Sequence, residues 1–141
     1  MKAKTLQLGK VLGAALFVLL LCVAGMTKAY ADSFVSVSPS GHPIKYEIIN
    51  ADLKTVRTIS YYVNDHPYSY QGGVSIPSSV VYQNDAYTVI EIGSYTFKDQ
   101  SLMTSVDIPN TVTTIGWEAF YNCTGLTGTL TIGESVVSVS A

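Results

Sequence analysis

Few residues of this chain could do chemistry. There are two histidines, His42 and His66, and both stand among turn residues. A nucleophile–histidine–acid triad needs a base within hydrogen-bond reach of its nucleophile and a third group to orient it, a geometry this spacing does not supply. Zinc sites require clustered His and Cys, and calcium loops require alternating acids. Neither pattern occurs. A glycan-cleaving enzyme would need paired carboxylates in a cleft, and spacing gives Asp107 no partner. The sequence therefore nominates no catalytic, cofactor-binding or metal-ligating residue, and the expected protein is not an enzyme and carries no cofactor.

Two nucleophiles remain to be read, Cys22 and Cys123. Cys123 has the reading of a reactive or intermolecular thiol, and the stronger reading of an interior turn residue behaving as a small buried hydrophobe. Tyrosine is the other notable chemistry. Nine tyrosines follow residue 31, six of them before Gln83. They suit strands as well as recognition surfaces. Tyr68 and Tyr70, in an expected loop, are the choice for exposed rings.

The chain that positions these groups begins with a leader. Lys2, Lys4 and Lys10 precede an apolar run from Val11 to Ala24, and Ala29-Tyr30-Ala31 supplies small residues for a signal peptidase. The run is short of the ~20 residues a membrane span needs, so residues 1–31 read as a secretory signal cleaved after Ala31. Leu21 before Cys22 argues against a lipoprotein. An exported protein with no membrane insertion after cleavage is expected, either secreted or held at the cell surface. Cleavage leaves four cations against ten acids, a net charge of −6. That excludes nucleic acid and anionic membrane as partners, since both need clustered cations. Cys123 is then the only cysteine, so no internal disulfide is available and packing must stabilise the fold.

From Asp32 onward the pattern is β. No apolar stripe of helical period is sustained, while β-branched residues alternate with polar ones. Residues 44–49 and 55–63 predict a hairpin around Asn50-Ala51-Asp52. Residues 68–73 predict a loop. Val80-Val81-Tyr82 and residues 86–90 predict a second hairpin about Gln83-Asn84-Asp85, where Asn and Asp tolerate left-handed backbone.

The later half repeats itself. Ile92-Gly93-Ser94-Tyr95-Thr96-Phe97 is echoed 23 residues on by Ile115-Gly116-Trp117-Glu118-Ala119-Phe120. Val74-Ser75-Ile76-Pro77 matches Val106-Asp107-Ile108-Pro109 and, with one inserted residue near Gly128-Thr129, Leu130-Thr131-Ile132-Gly133. Such a period marks a solenoid whose units bury apolar faces only by stacking. Alternation along each strand then points Val74, Ile76, Val106, Ile108, Leu130 and Ile132 inward. Val112, Ile115, Val136 and Val139 face them from an opposite wall, with Phe97 and Phe120 between. Ser75, Ser105, Asp107, Thr129 and Thr131 point outward. They form the candidate binding face, since a solenoid offers a wide polar surface rather than a deep pocket.

The succession Ile-Gly-x-x-x-Phe, a polar turn with Cys123, Leu-Thr, Val-x-Ile-Pro and Val-Thr-x-Ile-Gly resembles the BspA-type leucine-rich repeat, also called the Treponema pallidum-type repeat. The resemblance runs over residues 86–139 and back to Val74. It implies a mostly β, right-handed solenoid with parallel strands on one side and short strands or 3₁₀ turns on the other. It further implies an exported bacterial surface protein with roles in adhesion and protein binding. The expected organisation is a signal peptide at 1–31, an antiparallel β-rich N-terminal cap at 32–73, and repeats at 74–141 that are incomplete at their C-terminal end. Gln100 stands where the family's first-repeat cysteine would be, Gly133 where a proline would be, and Val139-Ser140 where Ile-Gly would be. The expected function is a secreted or surface module binding a protein or extracellular-matrix ligand. The alternative is the N-terminal cap fragment of a larger structural repeat protein, whose last rung would expose Leu130, Ile132 and Val136.

Overall fold

The computed structural model describes residues 32–140 apart from 129 and 131; the expected signal peptide at 1–31 lies outside the described residues. Among the described residues all regular structure is strand: β1 Ser33–Val37, β2 Pro43–Asn50, β3 Thr55–Ile59, β4 Tyr62–Val63, β5 His66–Pro67, β6 Gly72–Ser75, β7 Ser79–Tyr82, β8 Asp85–Ile92, β9 Met103–Asp107, β10 Thr114–Ile115 and β11 Ser138–Val139. No helix among the described residues is long and apolar enough to cross a membrane.

The lead-in is antiparallel because its turns are tight. Asn50 Oδ1 accepts from the amides of Asp52 at 2.9 Å and Leu53 at 2.8 Å, closing the β2–β3 hairpin. This is the Asx turn that makes Asn a turn residue. The second hairpin, β7–β8, turns through Gln83 and Asn84, both with positive φ, as primed two-residue turns require.

β3 changes the sheet's direction. It pairs antiparallel with β2 and parallel with β8, which continues in parallel to β10 and β11. The register brings Thr58, Ile92, Ile115 and Val139 into one column. Thr58 of the cap thus serves as the rung before the first repeat. A second parallel ladder joins β6 to β9, with Val74 opposite Val106 and Ser75 opposite Asp107. The two ladders close around Phe97, Val112, Met103 and Tyr70, all fully buried or nearly so. Each such side chain contributes about 1.5–3 kcal/mol of burial.

Between ladders the coils are turns, and they repeat in conformation. Tyr95 and Glu118 are left-handed, as are Asp99 and Asn122, each pair 23 residues apart. The amides of Tyr95, Phe97 and Asp99 donate to the carbonyls of Trp117, Ala119 and Tyr121. Coil therefore bonds to coil without strand geometry, answering the demand that buried backbone groups be paired.

Several expectations are corrected. The third strand was expected to reach Val63 but ends at Ile59. Asn64 and Asp65, both left-handed, turn the chain back into the small β4–β5 hairpin. The expected loop at 68–73 holds the start of β6 at Gly72. Tyr70, expected exposed, is 1% exposed. Its hydroxyl donates to the Pro43 carbonyl at 3.1 Å and its amide to Gln100 Oε1 at 2.8 Å, so it fastens cap to repeat. Gly93 and Gly116 are set by close stacking of the coils, since a Cβ would run into the Thr58 carbonyl oxygen at the first and lie 2.5 Å from the Ser94 nitrogen at the second.

The rungs fade along the stack. Ile92 and Ile115 are buried and Val139 is 55% exposed; Val74 is buried, Val106 half-buried and Leu130 37% exposed. No strand forms at Leu130 or Ile132 among the described residues. Ile115 lies between Ile92 and Val139, whereas among the described residues Val139 pairs with Ile115 alone, so less apolar surface covers it.

Candidate functional site

The β6–β9 ladder presents the first candidate surface. Ser75 and Asp107 are register partners, and Ser75 Oγ donates to Asp107 Oδ2 at 3.2 Å. The Ser75 amide donates to Ser40 Oγ at 3.0 Å, which ties the rim of this face to the first hairpin of the cap. Ser105 is exposed and leans over Gly73, whose missing Cβ leaves room for its hydroxyl. The structure thus gathers Ser75, Ser105 and Asp107 on a two-stranded patch. Thr129 and Thr131, the other expected members, lie outside the described residues.

Sequence reasoning missed a second surface. Tyr95, Trp117 and Tyr121 are 39%, 47% and 55% exposed on the turn side of the repeats. Tyr95 and Trp117 meet edge to face with ring centroids 5.5 Å apart. Lys98 Nζ lies 5.1 Å over Tyr95 and 4.8 Å over Tyr121, while bonding Glu118 Oε2 at 2.9 Å. The available signal was the variable positions within Ile-Gly-x-x-x-Phe, which hold Tyr95 and Trp117, and the position after the anchor phenylalanine, which holds Tyr121. Residues the register does not require to be apolar, yet which are aromatic, stand on the outside.

A cavity of about 460 Å³ adjoins this strip, where the cap meets the first repeat, lined by Tyr61, Tyr62 and Tyr68 from one side and Tyr95, Lys98 and Asp99 from the other. Beyond the second rung a smaller recess of about 280 Å³ includes Phe120, Cys123 and Leu126.

Cys123 is half-buried rather than buried. Its thiol donates to the Phe97 carbonyl at 2.9 Å, and partial burial pushes its pKa up, so it is a weaker nucleophile than a free cysteine at neutral pH. Gln100, standing at the equivalent position one repeat earlier, is buried and uses its side-chain oxygen to hold Tyr70.

The nearest thing to paired carboxylates is Glu47 and Glu91, flanking Arg57 across three strands. Arg57 donates to Glu47 at 2.6 Å and to Glu91 at 3.4 Å. One guanidinium bonds both carboxylates, so they are engaged as its partners and tie three strands together. Among the described residues no group of three His, Cys, Asp or Glu is placed to hold a metal ion.

Residues 74–141 match the family description BspA type leucine rich repeat region (6 copies). Among solved structures, a leucine-rich repeat protein from Bacteroides ovatus is 30% identical, with a TM-score of 0.55 over 66% of this chain and 23% of that one. A leucine rich cell surface protein from Faecalibacterium prausnitzii is 31% identical, with a TM-score of 0.56 over 76% of this chain and 26% of that one. The chain thus spans about a quarter of the length of these two proteins. No curated protein matches the sequence.

Proposed function

Residues 74–141 are a BspA-type leucine-rich repeat segment, and from that premise we propose that the chain is a non-catalytic binding module, exported and held at or released from a bacterial surface. Its ligand is a protein or extracellular-matrix component. The contact face is that of Ser75, Ser105 and Asp107, to which the sequence alternation adds Thr129 and Thr131. The observation carrying this reading is the in-register polar row on β6 and β9, exposed at Ser105 and Asp107 while Val74 beneath is buried. The cell-surface description of the Faecalibacterium relative supports the location.

The test is binding of the purified protein to immobilised collagen, laminin and fibronectin, with Asp107→Ala beside it. Saturable binding weakened about tenfold by the substitution, roughly 1.4 kcal/mol, is expected. Affinity indifferent to Asp107→Ala and Ser75→Ala together moves the contact elsewhere. Protease treatment of intact cells that fails to cleave the protein, with none in the medium, refutes export.

A second reading is a structural cap for a longer array. It is favoured by Leu130, Ile132, Val137 and Val139, exposed at 37%, 42%, 85% and 55% on the last rung. An unpaired apolar edge promotes self-association. Oligomers or precipitation on sizing the purified chain support this reading, and a clean monomer supports the binding module.

A further inference from the structure

We propose that the tyrosine-walled cavity at the seam between cap and first repeat binds a neutral saccharide. Five of the nine tyrosines after residue 31 line this one cavity: Tyr61, Tyr62, Tyr68, Tyr70 and Tyr95. Its volume of about 460 Å³ falls within the roughly 300–1,000 Å³ of ordinary small-molecule sites.

The walls are held in place before any ligand arrives. Tyr68 packs on Tyr61 with centroids 5.6 Å apart and edge-on to Tyr70 at 4.8 Å. Tyr70 is itself buried and bonded to Pro43 and Gln100. Ser60 Oγ donates to the Tyr95 carbonyl at 3.0 Å, fixing the cap side against the repeat side. Pre-set walls spare a ligand the entropy of ordering them. Tyr62 and Tyr95 nevertheless keep 58% and 39% of their surface in water, so ring area remains at the rim for a ligand to cover.

Charge selects the ligand class. The lining holds one cation and one anion, Lys98 and Asp99. Lys98 is engaged by Glu118 and sits over two rings, so it is poorly free to clamp an anion. Asp99 Oδ1 accepts from Asn122 at 2.8 Å, and Lys98 beside it opposes a cationic guest. What remains is a set of ring faces, tyrosine hydroxyls and the second oxygen of Asp99. A sugar matches both parts. Its C–H face lies on the electron-rich ring face as a weak donor, and its hydroxyls pair with the polar rim. Trp117, edge-on to Tyr95, extends the aromatic surface beyond the cavity for further units of a glycan chain.

The site shares no lining residue with the Ser75–Asp107 face, so the two proposals fail separately. The full chain is titrated with maltotriose, cellotriose and N,N′-diacetylchitobiose. Binding is read by fluorescence of Trp117, the only tryptophan, and by saturation-transfer NMR on the sugar. Saturable binding of at least one saccharide is expected, weakened about tenfold by Tyr62→Ala and by Tyr95→Asn and unchanged in Asp107→Ala. Asn suits the left-handed backbone at position 95, and melting curves establish that both variants fold. Absence of saturable binding across all three sugars overturns the proposal. So does binding that survives both ring substitutions in folded protein, or a proline-rich peptide that binds where the sugars do not.

Discussion

Phe97 and Phe120 occupy the same position of successive repeats, yet truncating them should cost different amounts. Phe97 has no exposed surface. It stacks on Phe120 with centroids 5.5 Å apart and rings within 7° of parallel, and meets Tyr70 edge-on at 5.0 Å. Its loss opens a cavity between the two ladders that neither can collapse into, so Phe97→Ala should cost about 3–5 kcal/mol. Phe120 is only half-buried and borders the recess beside Cys123 and Leu126. Water already reaches part of the ring, and the truncated site can fill from the open side. Phe120→Ala should cost about 1–3 kcal/mol, near the transfer term alone. Urea unfolding followed by far-ultraviolet circular dichroism separates the two. With a slope of about 1.5 kcal/mol per M, the midpoint falls by about 2–3 M for Phe97→Ala and about 0.7–2 M for Phe120→Ala. The double variant should fall short of additivity by about 0.5–1.5 kcal/mol, the coupling of two rings in contact. Equal costs, or a larger cost at Phe120, would refute the claim that stacking against the cap, and not repeat position, sets the burial of each rung.

Close coil stacking predicts that Gly116→Ala, whose new Cβ meets backbone 2.5 Å away, destabilises by about 1–3 kcal/mol, while Gly128→Ala, with open space around it, stays within about 0.5 kcal/mol; thermal melts compare them. Tyr46 buries its hydroxyl without a partner among the described residues, whereas that of Tyr70 is bonded. Tyr46→Phe should therefore be neutral or stabilising and Tyr70→Phe should cost about 1 kcal/mol, measured by the same unfolding curves. Burial raises the pKa of both phenols well above the ordinary value. The folded state thus keeps protons the unfolded chain releases near pH 10, and stability should fall as pH rises beyond about 10. Ultraviolet titration tests this: two tyrosines should ionise last, together with unfolding, and their early titration without unfolding contradicts the burial. Alkylation of Cys123 by iodoacetamide at pH 8 should be slower than that of the urea-unfolded chain, because burial disfavours its thiolate. Equal rates would show that the thiol is free.

Periodicity made the repeats legible because equivalent inward positions must be apolar wherever coils stack. Val74 facing Val106, the column through Ile92 and Ile115, and the turn at Gln83-Asn84 all follow from residue type at a fixed spacing. Contacts between unlike parts of the chain leave no such trace. Nothing local shows that Thr58 of the cap begins the column, that Gln100 reaches back to Tyr70, or that the tyrosines of a small hairpin wall a cavity with Tyr95. The polar row at Ser75, Ser105 and Asp107 follows from alternation, and the structure adds the hydrogen bond that joins two of its members.

By itself the sequence determined the β character, the repeat length and which side of the β6 and β9 rungs faces inward, since strand alternation and stacking period are properties of neighbouring residues. Only the tertiary structure decided how deeply each equivalent residue is buried and which tyrosines stand in water. Those depend on what lies across the fold from a residue, and chain distance carries no record of that.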